Sequence, residues 1–132
     1  MLLDTDVLID LLTGNKKAKD FLYSLPEDSP HCCSVITVAE IHSGMREAER
    51  DKTTELIASL DVIPVNLQIA ELAGKLRRDH NPFDKKAPSG NPELELDDCL
   101  IAATVVVKSL VIATRNIRYY SLSGVRIHPA TY

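Results

Sequence analysis

The chain of 132 residues contains no tryptophan, two phenylalanines and four tyrosines. With so few rings and no RGG, RNP or aromatic-basic stripe, base reading on an aromatic platform is disfavoured against recognition by shape and backbone. Positive charge is not in excess either. Fifteen Lys and Arg face 19 Asp and Glu, a formal net charge of −4, with a pI near 5.5. Nucleic-acid binding by bulk positive charge is thereby disfavoured, while an enzyme that meets nucleic acid through a bound cation is not. The three cysteines, Cys32, Cys33 and Cys99, are odd in number and lack CxxC spacing. That argues against a zinc site and a disulfide framework and leaves buried reduced thiols. No apolar run reaches the ~18 residues of a membrane span, and no basic stretch leads into a signal-like apolar one. A soluble, cytoplasmic protein without membrane contact is expected.

What is present is an ordinary globular mixture, 45% hydrophobic and 26% charged, read as one domain over residues 1–132. Strand-like runs fall at about 1–4, 31–34, 62–65, 110–113 and 125–128, with Pro64 placing the third at an edge. Helical periodicity fills about 6–12, 16–25, 35–50, 52–60, 67–80 and 93–108, with a fragment inside 114–121. The stretch 81–93, rich in Pro and charge, reads as a long surface loop, either a substrate-facing segment or a plain insertion. Strands alternating with helices give an α/β class: a three-layer α/β/α sandwich around a mostly parallel sheet of four to five strands.

The position of the acids carries more information than their number. In an open parallel sheet, ligands bind beyond the carboxyl ends of the strands, where Asp4 stands. A carboxylate at the mouth of a buried strand is desolvated, so it requires a partner or a cation. Asp6 reads as a helix N-cap or first-turn charge, a role Thr5 could share. Glu40 lies early in its helix among apolar and small residues, with Gly44 leaving space one turn later. Asp97 and Asp98 head the most apolar helix, one expected to cap it and Asp98 to point into a site. The four histidines form no ligand-spaced pair and are read as surface or satisfied groups. Asp4, Glu40 and Asp98 converging on one sheet edge would repel one another without a counter-charge, and the natural one is Mg²⁺ or Mn²⁺. Asp97 and Asp6 are further candidate ligands. Such a cluster suits phosphodiester hydrolysis by a metal-activated water.

Leu2-Leu3-Asp4-Thr5-Asp6-Val7-Leu8-Ile9, Ser34-Val35-Ile36-Thr37-Val38-Ala39-Glu40-Ile41 and Asp98-Cys99-Leu100-Ile101-Ala102-Ala103-Thr104 resemble the successive motifs of the PIN-domain ribonucleases. Thr114-Arg115-Asn116 resembles the last. The resemblance spans nearly the whole chain, at the length of the toxins of VapBC-type toxin–antitoxin pairs. It implies a Mg²⁺- or Mn²⁺-dependent endoribonuclease acting on structured transfer or ribosomal RNA, an antitoxin partner, and a homodimer or higher assembly. Asp4, Glu40 and Asp98 become the metal-binding acids, Thr5 a helper beside the first of them, and Thr114 and Asn116 supporting residues. The sequence departs from the family at Tyr119, where a fourth acid is usual, which bears on whether one or two metal ions bind.

Arg115 and Arg118 follow the fourth strand and are the leading candidates for phosphate contacts. Arg46 and Arg50, or Lys85 and Lys86, come next. Two other readings compete. Asp4-Thr5-Asp6-Val7-Leu8 also resembles the opening of haloacid-dehalogenase phosphatases, with Asp4 as nucleophile, although a lysine suitably placed before the late acids is missing. Alternatively the fold persists as a catalytically weak or inactive module that binds RNA or antitoxin.

Overall fold

A computed structural model describes residues 1–28, 30–80, 94–121, 124–129 and 131–132. Four short strands form its sheet: β1 (Leu2–Leu3), β2 (Cys32–Ser34), β3 (Asp61–Ile63) and β4 (Ile112–Ala113). Their order is β3-β2-β1-β4, and every pairing is parallel. Leu2 sits opposite both Cys32 and Ile112, so the first apolar residues of the chain lie at the centre of the sheet. The helices are α1 (Thr5–Leu12), α2 (Lys16–Ser24), α3 (Val35–Gly44), α4 (Arg50–Ala58), α5 (Leu67–His80), α6 (Leu96–Val107) and α7 (Ile117–Tyr120).

The three layers follow from the two-residue period of a strand. Leu2, Cys32 and Ile112 join a core with Ile69, Ala73 and Leu76 of α5, and with Ile101, Ala102 and Val105 of α6. Their neighbours Leu3, Cys33 and Ala113 join a second core with Leu8 of α1, Phe21 of α2 and Ile41 of α3. β1, β2 and β4 thus each feed one side chain to each face, and that part of the sheet is covered on both. All three cysteines are buried and free. Among the described residues no helix is long and apolar enough to cross a membrane.

Local chemistry fixes the helix starts. Asn15 caps α2 by accepting from Ala18 N at 3.1 Å, and Ser34 caps α3 by accepting from Ile36 N at 3.0 Å. Gly14, at φ +80°, makes the left-handed turn between α1 and α2 that other residues enter at a cost.

Three expectations are revised. The helix expected over 35–50 stops at Gly44, because Met45 is extended at ψ 137° and only a 3₁₀ turn, Glu47–Glu49, follows. Met45 and Ala48 matched the apolar period but lie beyond the helix. The third strand ends at Ile63, before Pro64, and β3 is indeed an edge. The terminal strand reduces to a single parallel bridge between Ile112 and Ile127, with His128 N donating to Ile112 O at 2.8 Å. The loop expected at 81–93 lies outside the described residues.

Leu8, fully buried between α1 and the sheet, provides a stability test. Leu8→Ala is expected to cost about 2–5 kcal/mol in urea unfolding. Leu67→Ala, at a site 75% exposed, should stay within about 0.5 kcal/mol.

Candidate active site at the carboxyl edge of the sheet

Because all four strands are parallel, their carboxyl ends open on one edge, and the residue after each end reaches it. Asp4 directly follows β1 and is only 3% exposed. It is the N-cap of α1, a role expected of Asp6. Asp4 Oδ1 accepts from Thr5 N at 2.8 Å and from the Tyr120 hydroxyl at 3.2 Å. Asp4 Oδ2 accepts from the Thr114 hydroxyl at 2.8 Å, and Thr114 directly follows β4. Burial, then the nearby Asp6 charge, push the Asp4 carboxyl up to about 6, and the three hydrogen bonds only partly oppose this.

Glu40 is brought to Asp4 through Thr5. The Thr5 hydroxyl lies 2.7 Å from Glu40 Oε1 and 2.9 Å from the hydroxyl of Thr37, which is itself fully buried on α3. Thr5 therefore ties α1 to α3 beside the first acid, where it was expected to help. Burial, then a hydrogen bond with Asp97, push Glu40 up to about 7. Next to Gly44, one turn on, the space is open as expected.

The acidic pair of α6 divides its tasks differently from expectation. Glu95, not Asp97 or Asp98, occupies the N-cap position, without a side-chain cap. Asp98 reaches back to accept from the Glu95 backbone N–H, the return half of a capping box. Burial, then the Asp97 charge, still push Asp98 up to about 6, with Asp6 and Glu95 adding to the rise. Asp97, expected to cap the helix and as a further candidate ligand, is instead the carboxyl whose hydrogen bond raises Glu40. Asp6 accepts from Val7 N at 2.7 Å and Arg115 N at 2.9 Å, so it pins the segment after β4 to α1. Burial raises its carboxyl as well.

The remaining expected residues are more peripheral. Asn116 is exposed, and its backbone N donates to the Thr114 hydroxyl at 2.9 Å. Arg115 is already engaged: its guanidinium holds Asp10 at 2.7 and 3.2 Å, and the Tyr132 hydroxyl also bonds Asp10. Arg118 is exposed near the same edge, and Arg46 is 88% exposed beyond α3. Lys85 and Lys86 lie outside the described residues. His31 departs from expectation, since its buried Nδ1 has no hydrogen-bond partner among the described residues.

Sequence reasoning missed Tyr120 as a site residue. It is 1% exposed, and burial, followed by the Asp4 charge, drives its phenol far above the ordinary tyrosine range, so it faces Asp4 as a neutral donor. The signal the sequence carries is a second hydroxyl-bearing ring directly after Tyr119 and close behind Thr114-Arg115-Asn116. Burial of Asp4 with both oxygens hydrogen-bonded also disfavours its use as a free nucleophile, against the phosphatase reading.

Asp4, Glu40 and Asp98 form no ion pair among the described residues, whose four ion pairs all lie elsewhere. Hard oxygen donors raised by burial and by mutual repulsion match the chemistry of a divalent cation such as Mg²⁺ or Mn²⁺. The described residues nevertheless contain no group of three His, Cys, Asp or Glu side chains already gathered as a metal site. The donor types fit such a cation.

Comparison with known proteins bears on the family and the fold. The PIN domain matches residues 1–125. Ribonuclease VapC10 of Mycobacterium tuberculosis is 39% identical over 126 residues, covering 92% of this chain and 86% of that protein. A toxin–antitoxin complex from Klebsiella pneumoniae contains a chain with TM-score 0.75 and 28% identity, over 94% of this chain and 93% of that one. A chain of VapBC2 from Rickettsia felis, bound to a DNA fragment from their promoter, shares the fold at TM-score 0.76 and 19% identity, with 96% of both chains covered.

The carboxyls set a pH signature. Asp4, Glu40 and Asp98 each keep a proton to higher pH when folded than their ordinary values of 3.8, 4.5 and 3.8. Their stabilising contribution is therefore complete below about pH 4 and is lost as pH rises through about 6 to 7. In metal-free buffer the urea midpoint should fall across this window. A midpoint that is flat or rises there would show that the three acids do not crowd one pocket.

Proposed function

Because this chain belongs to the PIN-domain family, we propose that it is the ribonuclease toxin of a toxin–antitoxin pair, a single domain hydrolysing RNA with Mg²⁺ or Mn²⁺. One observation carries this reading: Asp4, Glu40 and Asp98, from three separate segments, are all raised by burial with no ion-pair partner among the described residues. The relative named a ribonuclease and the neighbour in a toxin–antitoxin complex support it.

Asp4, Glu40 and Asp98 would hold the cation, with Asp97 and Asp6 as additional oxygen donors. A cation bound there would supply Lewis-acid chemistry, polarising a phosphate oxygen and lowering the pKa of an adjacent water. Hydrolysis would join a water oxygen to phosphorus as the bond to the leaving ribose oxygen breaks, and one of these carboxylates would accept the water proton. Thr5 holds Glu40, and Thr114 holds Asp4, so the acids stay in place without a lysine or arginine competing for them.

Structured transfer or ribosomal RNA is the substrate class, met through its backbone, with the exposed Arg118 available to phosphates and Arg46 held only by a solvent-exposed pair with Glu49 at 3.9 Å. Arg115 serves first as a brace between Asp10 and the segment after β4. A cognate antitoxin protein restrains the activity, and the chain works as a homodimer or higher assembly. A cytoplasmic location accords with three buried free thiols.

Purified protein should cleave total RNA with Mn²⁺ and stop in excess EDTA. Asp4→Asn, Glu40→Gln and Asp98→Asn should each lower the cleavage rate by about 100-fold or more. Full activity in EDTA, or in Asp98→Asn, would sink the mechanism. Wild-type protein that neither cleaves RNA nor slows growth would instead identify an inactive binding module.

A further inference from the structure

We propose that Tyr120 is a positioning residue for Asp4, its hydroxyl deciding which carboxylate oxygen stays open to a divalent cation. The inference deepens the metal-dependent reading above and rests on it. Asp4 Oδ1 receives two donors, Thr5 N at 2.8 Å and the Tyr120 hydroxyl at 3.2 Å. Asp4 Oδ2 receives one, the Thr114 hydroxyl at 2.8 Å. A carboxylate offers about four acceptor positions. Among the described residues three are filled, and the open one belongs to Oδ2.

The ring is held independently of that contact. Tyr120 is 1% exposed and belongs to the core that includes Ile69, Ala102 and Ile112. Its hydroxyl is therefore delivered to Asp4 by packing, and bulk water does not compete for it. Removing the hydroxyl leaves Oδ1 with the Thr5 amide alone, so the carboxylate is free to turn and the open position on Oδ2 is no longer held in one direction. The contact also joins α7 to the end of β1 across 116 residues of sequence, so Asp4 is oriented from the far end of the chain.

Tyr120→Phe deletes the hydroxyl and keeps the ring. Calorimetric titration of the metal-free protein with Mn²⁺ should show affinity lower by about 10-fold or more, the range for loss of a partner that orients a ligand. The kcat for RNA cleavage should fall with it, while KM for RNA holds. The urea midpoint measured without metal tells whether the variant remains folded. Unchanged Mn²⁺ affinity in a folded variant overturns the proposal, and so does a variant that cannot fold, which would make the hydroxyl a folding determinant. If wild-type protein does not bind Mn²⁺, the metal-dependent reading fails first, and this proposal falls with it.

Discussion

A carboxylate withdrawn from water at the end of the central strand governs much of the architecture around it. Asp4 is almost fully buried, yet it cannot be left without partners, because an isolated buried charge costs several kcal/mol even after relaxation. Three parts of the chain answer that demand: the first amide of α1, the threonine after β4, and the last residue of α7. Their hydrogen bonds lower its proton affinity, but burial and the neighbouring Asp6 raise it more. The balance leaves a carboxyl that is ordered but not electrically satisfied. Glu40 and Asp98 are left in the same condition by separate routes.

The braces around this pocket are polar and specific, whereas the layers beneath are apolar and alternate with the strands. Thr5 connects the first helix to the third, Asp6 holds the backbone after β4, and Asp10 grips the Arg115 guanidinium with both oxygens. One turn-and-a-half of α1 therefore supplies contacts to the site and to the segment that closes it. The two cores fix the sheet, and these side chains convert its edge into a defined surface.

Much of this was legible in the sequence because its signals are local. The Leu2-Leu3 run, the alternation of apolar strands with periodic helices, and Pro64 at an edge rest on near-neighbour chemistry, and the parallel sheet bears them out. The acids at Asp4, Glu40 and Asp98 were visible as carboxyls in apolar company. Their division of labour was not, since whether Asp97 or Asp98 turns toward Glu40 depends on how α6 starts relative to α3. Tyr120 escaped for the same reason: nothing within its own helix reveals that its hydroxyl ends on Asp4. The overextended third helix shows the converse, as an apolar period continued through Met45 and Ala48 while the backbone had already left the helix.

The site has no slack between scaffold and chemistry. Leu3 ends β1 and Asp4 follows at once; Ala113 ends β4 and Thr114 follows at once; Ser34 ends β2 and itself caps the helix that carries Glu40. A slip of one residue in the pairing of β1 with β4 would displace Thr114 from Asp4 by about 3.3 Å, the rise of a strand residue. It would also part Leu3 from Ala113, which share one core, by turning the side chains of the slipped strand to the opposite face. The pairing register thus serves as the ruler of the pocket. Conservative changes in β1 or β4 that never touch a carboxyl bear on the same geometry, because strand alignment and site alignment are one quantity.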